Sequence, residues 1–97
     1  MNNWKNYTVN IGYVKQNTSV EVKFESNIPL KIQHISPGCA SCTKFIDYKD
    51  NILTFKYIAP EFPKHLDVKD IVINKGATIY YEDDTSEELK FVGFLKK

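Results

Sequence analysis

Arginine is absent from this sequence, and all thirteen of its basic residues are lysines. Arginine is the side chain that binds phosphate or guanine through a planar, bidentate fork, so its absence weakens any nucleic-acid interpretation. Twelve acidic residues balance the lysines, and a formal net charge of +1 provides no strong field to attract nucleic acid or a membrane surface. We therefore expect neither a nucleic-acid nor a membrane partner.

Residues that favour helices are also scarce. Alanine, leucine and methionine account for 9 residues, whereas valine, isoleucine, threonine, tyrosine, phenylalanine and tryptophan account for 36 of the 97. β-Branched and aromatic side chains suit a pleated, half-buried surface and lose rotamer freedom in a helix. No apolar run reaches the ~18 residues that a membrane span needs. The chain is long enough for one core, so we predict a single all-β domain over residues 1–97.

Alternating apolar and polar residues predict seven or eight short strands. The clearest is the second, where Val20, Val22 and Phe24 alternate with charged residues. Such strands, separated by turns every eight to twelve residues, are typical of an immunoglobulin-like β-sandwich of antiparallel strands, with a closed barrel as the main alternative. The predicted strands are 7–14, 20–25, 30–35, 43–48, 52–58, 66–74, 77–82 and 88–95, with turns that include 49–51, 75–76 and 83–87.

Three segments carry a likeness to a known family: NIPLKI at 27–32, ISPGCASCT at 35–43 and LKFVGF at 89–94. They resemble the immunoglobulin-like domains known as DUF1573, which are related to the ASH/MSP-type sandwiches, and the likeness covers most of residues 18–95. The family usually spaces its cysteines as Cys-Gly-Cys, whereas two residues separate Cys39 and Cys42 here. The resemblance implies an immunoglobulin-like fold and a binding or scaffolding role, with no catalytic residues to carry over.

Cys39 and Cys42 form the one motif in the sequence that suggests a chemical function. A thioredoxin-type pair is activated by a helix N-terminus that lowers the thiol pKa, but β-branched and aromatic residues follow Cys42 and indicate a strand. A structural zinc site needs four ligands, and only His34 and His65 supply nitrogen ligands to complete it. We favour a structural loop and expect no metal, cofactor or catalytic activity. A cytosolic thiol-redox or zinc-binding protein is the alternative.

Acidic residues cluster near the C-terminal end of the chain, at Asp83, Asp84, Glu87 and Glu88. Carboxylates in such a cluster are typical calcium ligands, but the cluster lacks the spacing and the central glycine of an EF-hand loop. We interpret it as a solvated acidic turn.

Apolar residues in unexpected places suggest an interaction surface. Phe62 lies between two prolines in a predicted loop, Trp4 precedes the first strand, and Val92 and Phe94 alternate with the apolar residues of the opposite face of the last strand. Each is either packed within the chain or displayed to a partner. We predict that Trp4, Phe62, Val92 and Phe94 bind a protein partner.

Together these features predict a non-catalytic structural or interaction module. We expect an auxiliary or decoration subunit of a larger assembly, such as a bacteriophage capsid, with the capsid lattice as its protein partner and oligomers within the assembly. The first residues lack the basic segment, the apolar segment and the cleavage site of an export signal. We therefore expect the protein in a virion or in the cytoplasm of its host bacterium.

Overall fold

A computed structural model describes residues 2–97 and contains seven strands. The described residues form no helix, which confirms the all-β prediction. Within this range no helix is long and apolar enough to cross a membrane. The strands are β1 (Thr8–Lys15), β2 (Ser19–Glu25), β3 (Ile32–Pro37), β4 (Thr43–Lys49), β5 (Ile52–Ile58), β6 (Asp70–Tyr81) and β7 (Ser86–Lys96).

The strands divide into two sheets, an arrangement compatible with a β-sandwich. A four-stranded sheet has the order β1-β7-β6-β3, and a three-stranded sheet has the order β2-β5-β4. Both sheets are open, so the strands of residues 2–97 do not close into the alternative barrel. The prediction of antiparallel strands throughout was wrong for one pair: β1 runs parallel to β7. A parallel pair cannot be joined by a tight hairpin, and here the whole chain between β1 and β7 separates the two strands.

The core lies between the two sheets. In β2, Val22 and Phe24 point inward while the intervening charged residues stay in solvent, as the alternation predicted. The seven residues of β2 pair with β5 without a register shift, because a slip by one residue would bury its charges. The ring of Tyr57 in β5 meets that of Phe91 in β7 across the core, with 5.4 Å between the ring centroids and an edge-to-face tilt.

The predicted strands 66–74 and 77–82 are wrong, because residues 70–81 form the single strand β6. The predicted turn at 75–76 is instead the middle of that strand. A Cβ atom on Gly76 would lie 2.7 Å from the carbonyl oxygen of Leu89, and the Gly76 carbonyl accepts a hydrogen bond of 2.8 Å from the Gly38 N–H. Gly76 is therefore explained by the close approach of neighbouring backbones and not by a turn.

The hairpin predicted at residues 49–51 is confirmed. Lys49 pairs with Ile52, so Asp50 and Asn51 alone form the loop between β4 and β5. Their φ angles are 54° and 65°, the left-handed conformation that a two-residue hairpin of type I′ requires. Asparagine and aspartate tolerate this conformation better than other residues with a Cβ, so the local sequence suits the turn.

A bulge in β1 changes the direction of its last side chains. The register with β7 shifts between Asn10 and Gly12, and Gly12 has a φ of 71°. The alternation 7, 9, 11, 13 predicted that Tyr13 shares a face with Val9. Beyond the bulge Tyr13 instead points outward, with 64% of its surface exposed, and Val14 enters the core. One extra residue in a strand inverts the inside and outside positions that follow it.

Gly93 lies opposite Gly12 at this bulge and allows β1 and β7 to approach closely. A Cβ atom on Gly93 would clash with the carbonyl oxygen of Gly12 and lie 2.8 Å from Cγ1 of Ile11. We expect Gly93→Ala to lower the free energy of unfolding by about 2 kcal/mol or more, because the backbone of β1 must shift. Urea unfolding measures the loss.

Gly12→Ala is the matched control, because a Cβ atom there meets nothing within 4 Å and carries only the penalty of a left-handed backbone. Its expected loss is about 1 kcal/mol. An equal or larger loss in Gly12→Ala than in Gly93→Ala would contradict the close approach of the two strands.

Candidate functional site

Two of the four residues predicted to bind a partner lie in the core. Trp4 is 1% exposed and Phe62 is 3% exposed. Trp4 forms an isolated β-bridge with Ser26, which places the N-terminal segment beside the three-stranded sheet. Phe62 lies in the long connection between β5 and β6. In this conformation neither side chain is available to a partner.

Trp4 is held by a polar network around a carboxylate. Its indole Nε1 donates a hydrogen bond of 2.8 Å to the hydroxyl of Tyr81. The Tyr81 hydroxyl donates to Oε1 of Glu87 at 2.7 Å. Asn3 Nδ2 donates to the same oxygen at 2.7 Å, and the Tyr7 hydroxyl donates to Oε2 at 2.7 Å. The carboxylate of Glu87 therefore ties the N-terminal segment to β6 and β7.

Glu87 was predicted to belong to a solvated acidic turn, and this is wrong. The turn consists of residues 82–85, and Glu87 lies within β7 on the same face as Leu89 and Phe91. Its position two residues before Leu89 was the signal in the sequence, since side chains at i and i+2 share a face. A charge on that face was interpreted as exposed because no partner for it was apparent nearby in the sequence.

The network shifts the ionisation of its members. Partial burial opposes the charge on Glu87, but hydrogen bonds from Tyr81, Tyr7 and Asn3 outweigh it and hold the pKa of the carboxyl below its usual value. Burial, followed by the hydrogen bond to Glu87, raises the pKa of Tyr81 far above its usual value. The same two causes raise the pKa of Tyr7. The folded state therefore favours a charged Glu87 and protonated tyrosines.

Phe62 closes the opposite end of the core. Its backbone N–H donates a hydrogen bond of 2.7 Å to Oε1 of Gln16, at the turn that follows β1. The ammonium group of Lys97 lies 5.3 Å from the centre of its ring, within the range of a cation–π contact. The loop around Phe62 is thus tied to the C-terminal ends of β1 and β7, which lie side by side.

The other two predicted residues, Val92 and Phe94, lie on the outer face of the four-stranded sheet. Phe94 is 41% exposed, and Val92 is half-buried. In the strand register Phe94 stands between Tyr13 of β1 and Val72 of β6. The rings of Tyr13 and Phe94 stack with centroids 5.4 Å apart, and Val72 is 68% exposed. We call Tyr13, Val72, Val92 and Phe94 the outer-face patch.

Sequence reasoning missed two members of the outer-face patch. Tyr13 was assigned to the inner face because the bulge was not anticipated, although a glycine inside a strand pattern often marks one. Val72 was placed in a predicted strand, but its partner strand was not known. Only the pairing of β6 and β1 with β7 brings Tyr13 and Val72 next to Phe94.

The patch has polar neighbours on both sides along the strands. The row toward the C-terminal end of β7 consists of Lys15, Lys96 and Asp70. The row on the other side places Asn10 and Asn74 beside Val92. An apolar centre with a polar border is typical of a protein-binding surface.

The four candidate metal ligands lie in three separate places: the Cys39–Cys42 pair, His34 and His65. Cys39 and Cys42 are joined in a disulfide across the turn between β3 and β4, and the Cys39 carbonyl accepts hydrogen bonds from the N–H groups of Cys42 and Thr43 at 3.3 and 2.9 Å. His34 lies on β3 and stacks on Tyr80, with ring centroids 5.9 Å apart. His65 lies exposed in the loop after β5. Within residues 2–97 no group of three or more His, Cys, Asp or Glu side chains is placed to hold a metal ion.

No helix follows the Cys39–Cys42 pair, because β4 begins at Thr43, directly after Cys42. The arrangement therefore offers neither cysteine the helix N-terminus that activates a redox thiol. The disulfide acts as a staple across a four-residue turn.

An open cleft lies on the side of the molecule where β3 and β4 are the outermost strands of their sheets. Its volume is about 650 Å³. Half-buried Leu30, Ile32 and Ile35 form its apolar part, together with Phe45, and Lys31 and Glu82 lie at its border. Gln33, His34 and Tyr48 complete its lining.

Comparison with known proteins gives no family for this chain: it matches no family model, and no curated protein is significantly similar to it.

The carboxylate network predicts an acid-sensitive fold. Because the pKa of Glu87 is lowered in the folded state, its contribution to stability is present above its ordinary pKa and is lost as the pH falls through the lowered value. Glu87→Gln should cost about 2 kcal/mol at pH 7 and progressively less as the pH falls far enough to protonate Glu87. Urea unfolding from pH 7 to pH 2 measures the difference.

Glu88→Gln is the control, because Glu88 is exposed and pairs only with the solvent-exposed Lys90. It should change stability by less than about 0.5 kcal/mol over the same range. A loss for Glu87→Gln that stays constant from pH 7 to pH 2 would refute the role of the carboxylate charge.

The disulfide should contribute little to stability, because it closes a loop of only four residues. We expect the double variant Cys39→Ser, Cys42→Ser to fold and to lose about 2 kcal/mol at most. A reductant should lower the urea midpoint of the native protein to that of the variant and leave the variant unchanged. Loss of the fold in the variant would show that the staple is essential.

Proposed function

We propose that this protein is an immunoglobulin-like β-sandwich that acts as a non-catalytic interaction module, an accessory subunit of a larger assembly. A protein partner binds the outer face of its four-stranded sheet.

The order of the strands supports the immunoglobulin-like part of the proposal. If the seven strands are lettered A to G along the chain, the three-stranded sheet has the order B-E-D and the four-stranded sheet the order A-G-F-C. Immunoglobulin constant-type domains have B-E-D and C-F-G in their two sheets, with A beside B. Here the first strand is instead parallel to the last, at the edge of the other sheet.

The single observation that carries the functional proposal is the outer-face patch. Its two rings stack on each other, yet Tyr13 remains 64% exposed and Phe94 41% exposed. Exposed aromatic and aliphatic side chains on three neighbouring strands leave apolar surface in contact with water. Burial of this surface against a partner is favourable by about 25 cal/mol of free energy for each Å² removed from water. Aromatic side chains are also enriched among the residues that dominate binding energy.

The resemblance to DUF1573 domains adds a binding or scaffolding role to this proposal, in keeping with the extended, mostly polar surface around the patch. A bacteriophage capsid is the assembly we favour, with this chain as a decoration subunit on the lattice. That setting rests on an analogy of fold and size.

Native extracts from the cells or particles that contain the protein test the proposal. In gel filtration the chain should elute far above its monomer mass of 11.2 kDa. The double variant Tyr13→Ser, Phe94→Ser should leave the assembly and elute as a small species, because it loses the apolar centre of the patch. Far-UV circular dichroism establishes that the variant is folded.

The matched control is Glu21→Ser, Lys23→Ser, which changes two exposed residues of β2 on the outer face of the other sheet. It should stay in the assembly. If the native chain elutes as a free small protein, or if the patch variant and the control behave alike, the proposed function is wrong.

A further inference from the structure

We propose that the partner of the outer-face patch is a second copy of this chain, in a symmetric dimer that packs the two four-stranded sheets face to face. The inference rests on the proposed interaction function and specifies its partner. It is carried by the positions of charged and apolar side chains in the strand register.

The register places the outward side chains in three columns, with β7 in the centre and β1 and β6 on either side. One row consists of Tyr13, Phe94 and Val72, and the next consists of Lys15, Lys96 and Asp70. The charges of the outer columns are therefore opposite: lysine on β1 and aspartate on β6, in the same row.

A twofold axis parallel to β7 exchanges the two outer columns. Under this operation Lys15 of one copy lies opposite Asp70 of the other, and the same contact occurs a second time by symmetry. Tyr13 lies opposite Val72, and Phe94 lies opposite its own symmetry mate. The surface is therefore complementary to itself in charge and in apolar character.

The row of Val92 fits the same axis. Asn10 and Asn74 occupy the two outer columns, so each would face the other across the interface. Oδ1 of Asn10 already accepts a hydrogen bond of 2.8 Å from the Gly12 N–H, so the Asn10 amide nitrogen is the group that suits donation to Oδ1 of Asn74 in the other copy. Two sheets packed in this way keep their strands within about 30° of each other, as aligned sheets do.

Three charged residues of β7 lie on the axis: Glu88, Lys90 and Lys96. Glu88 and Lys90 form an ion pair with each other at 3.4 Å, and Lys96 is the like-charged residue next to the Lys15–Asp70 contacts. Lys96 lies at the end of β7 and is exposed. The long aliphatic stem of lysine lets the ammonium group reach solvent beyond the end of the sheet while the rest of the side chain stays on apolar surface. The net charge of +1 adds little general repulsion between two copies.

Analytical ultracentrifugation of the purified chain tests the inference. The native chain should change from monomer to dimer as its concentration rises from micromolar to millimolar. Lys15→Asp alone and Asp70→Lys alone should each weaken dimerisation about tenfold or more, because each creates two like-charge contacts. Thermal unfolding establishes that both variants are folded.

The decisive measurement mixes these two variants in equal amounts. In the mixture every contact between positions 15 and 70 again joins opposite charges, so a heterodimer should form about as tightly as the native dimer. Heterodimers at concentrations where each variant alone is monomeric support a second copy in this arrangement. A mixture that stays monomeric while the native chain dimerises overturns the arrangement, and a native chain that is monomeric throughout overturns the inference.

Failure of this inference differs from failure of the proposed function. If the purified chain is monomeric but remains in a large assembly in native extracts, and the patch variant leaves it, the patch binds another protein and only the second copy is wrong. If the purified chain dimerises as expected but native extracts contain nothing larger than the dimer, the inference stands and the larger assembly is wrong.

Discussion

The pairing of β7 with a strand on each side is the interaction on which most of this structure depends. β7 pairs with β6 over eleven residues and with β1 over seven, from Lys90 to Lys96. Because successive side chains of a strand point to opposite faces, this one strand supplies the core with Leu89, Phe91 and Leu95 and the outer surface with Phe94. The core and the candidate binding surface are therefore two sides of the same hydrogen-bonded ladder.

The two ends of the molecule are closed by side chains from outside the regular strands. Trp4 closes one end through the hydrogen-bonded network of Glu87, and Phe62 closes the other through Gln16 and Lys97. A half-buried carboxylate is acceptable in this position because it receives three hydrogen bonds, so its charge is not left without partners. Large aromatic side chains in loops had suggested a docking role, but they complete the core of a small domain that has few residues to fill it.

Prediction succeeded where local sequence and tertiary contacts agreed. The alternation in β2 and the two-residue turn at Asp50 and Asn51 are both determined within a few residues, and the structure contains both. It failed at Gly76, where a glycine was interpreted as a turn, and at Tyr13, where the bulge inverted the alternation. In both cases the deciding contact comes from another strand or loop: Leu89 and Gly38 at Gly76, and β7 at the bulge. Gly12 was the one local sign of the bulge, and nothing near Gly76 in the sequence distinguished a close approach from a turn.

The sequence by itself determined that the chain is all-β, which residues of β2 and β7 share a face, and that Val92 and Phe94 do not point into the core with Leu89 and Phe91. These properties follow from side-chain shape and from the two-residue period of a strand, which are local. Only the tertiary structure decided that Trp4 and Phe62 are buried, that Glu87 binds three donors, and that Tyr13 and Val72 flank Phe94. Burial and adjacency depend on which strands pair and in which register, and that choice is made by the free energy of the whole core.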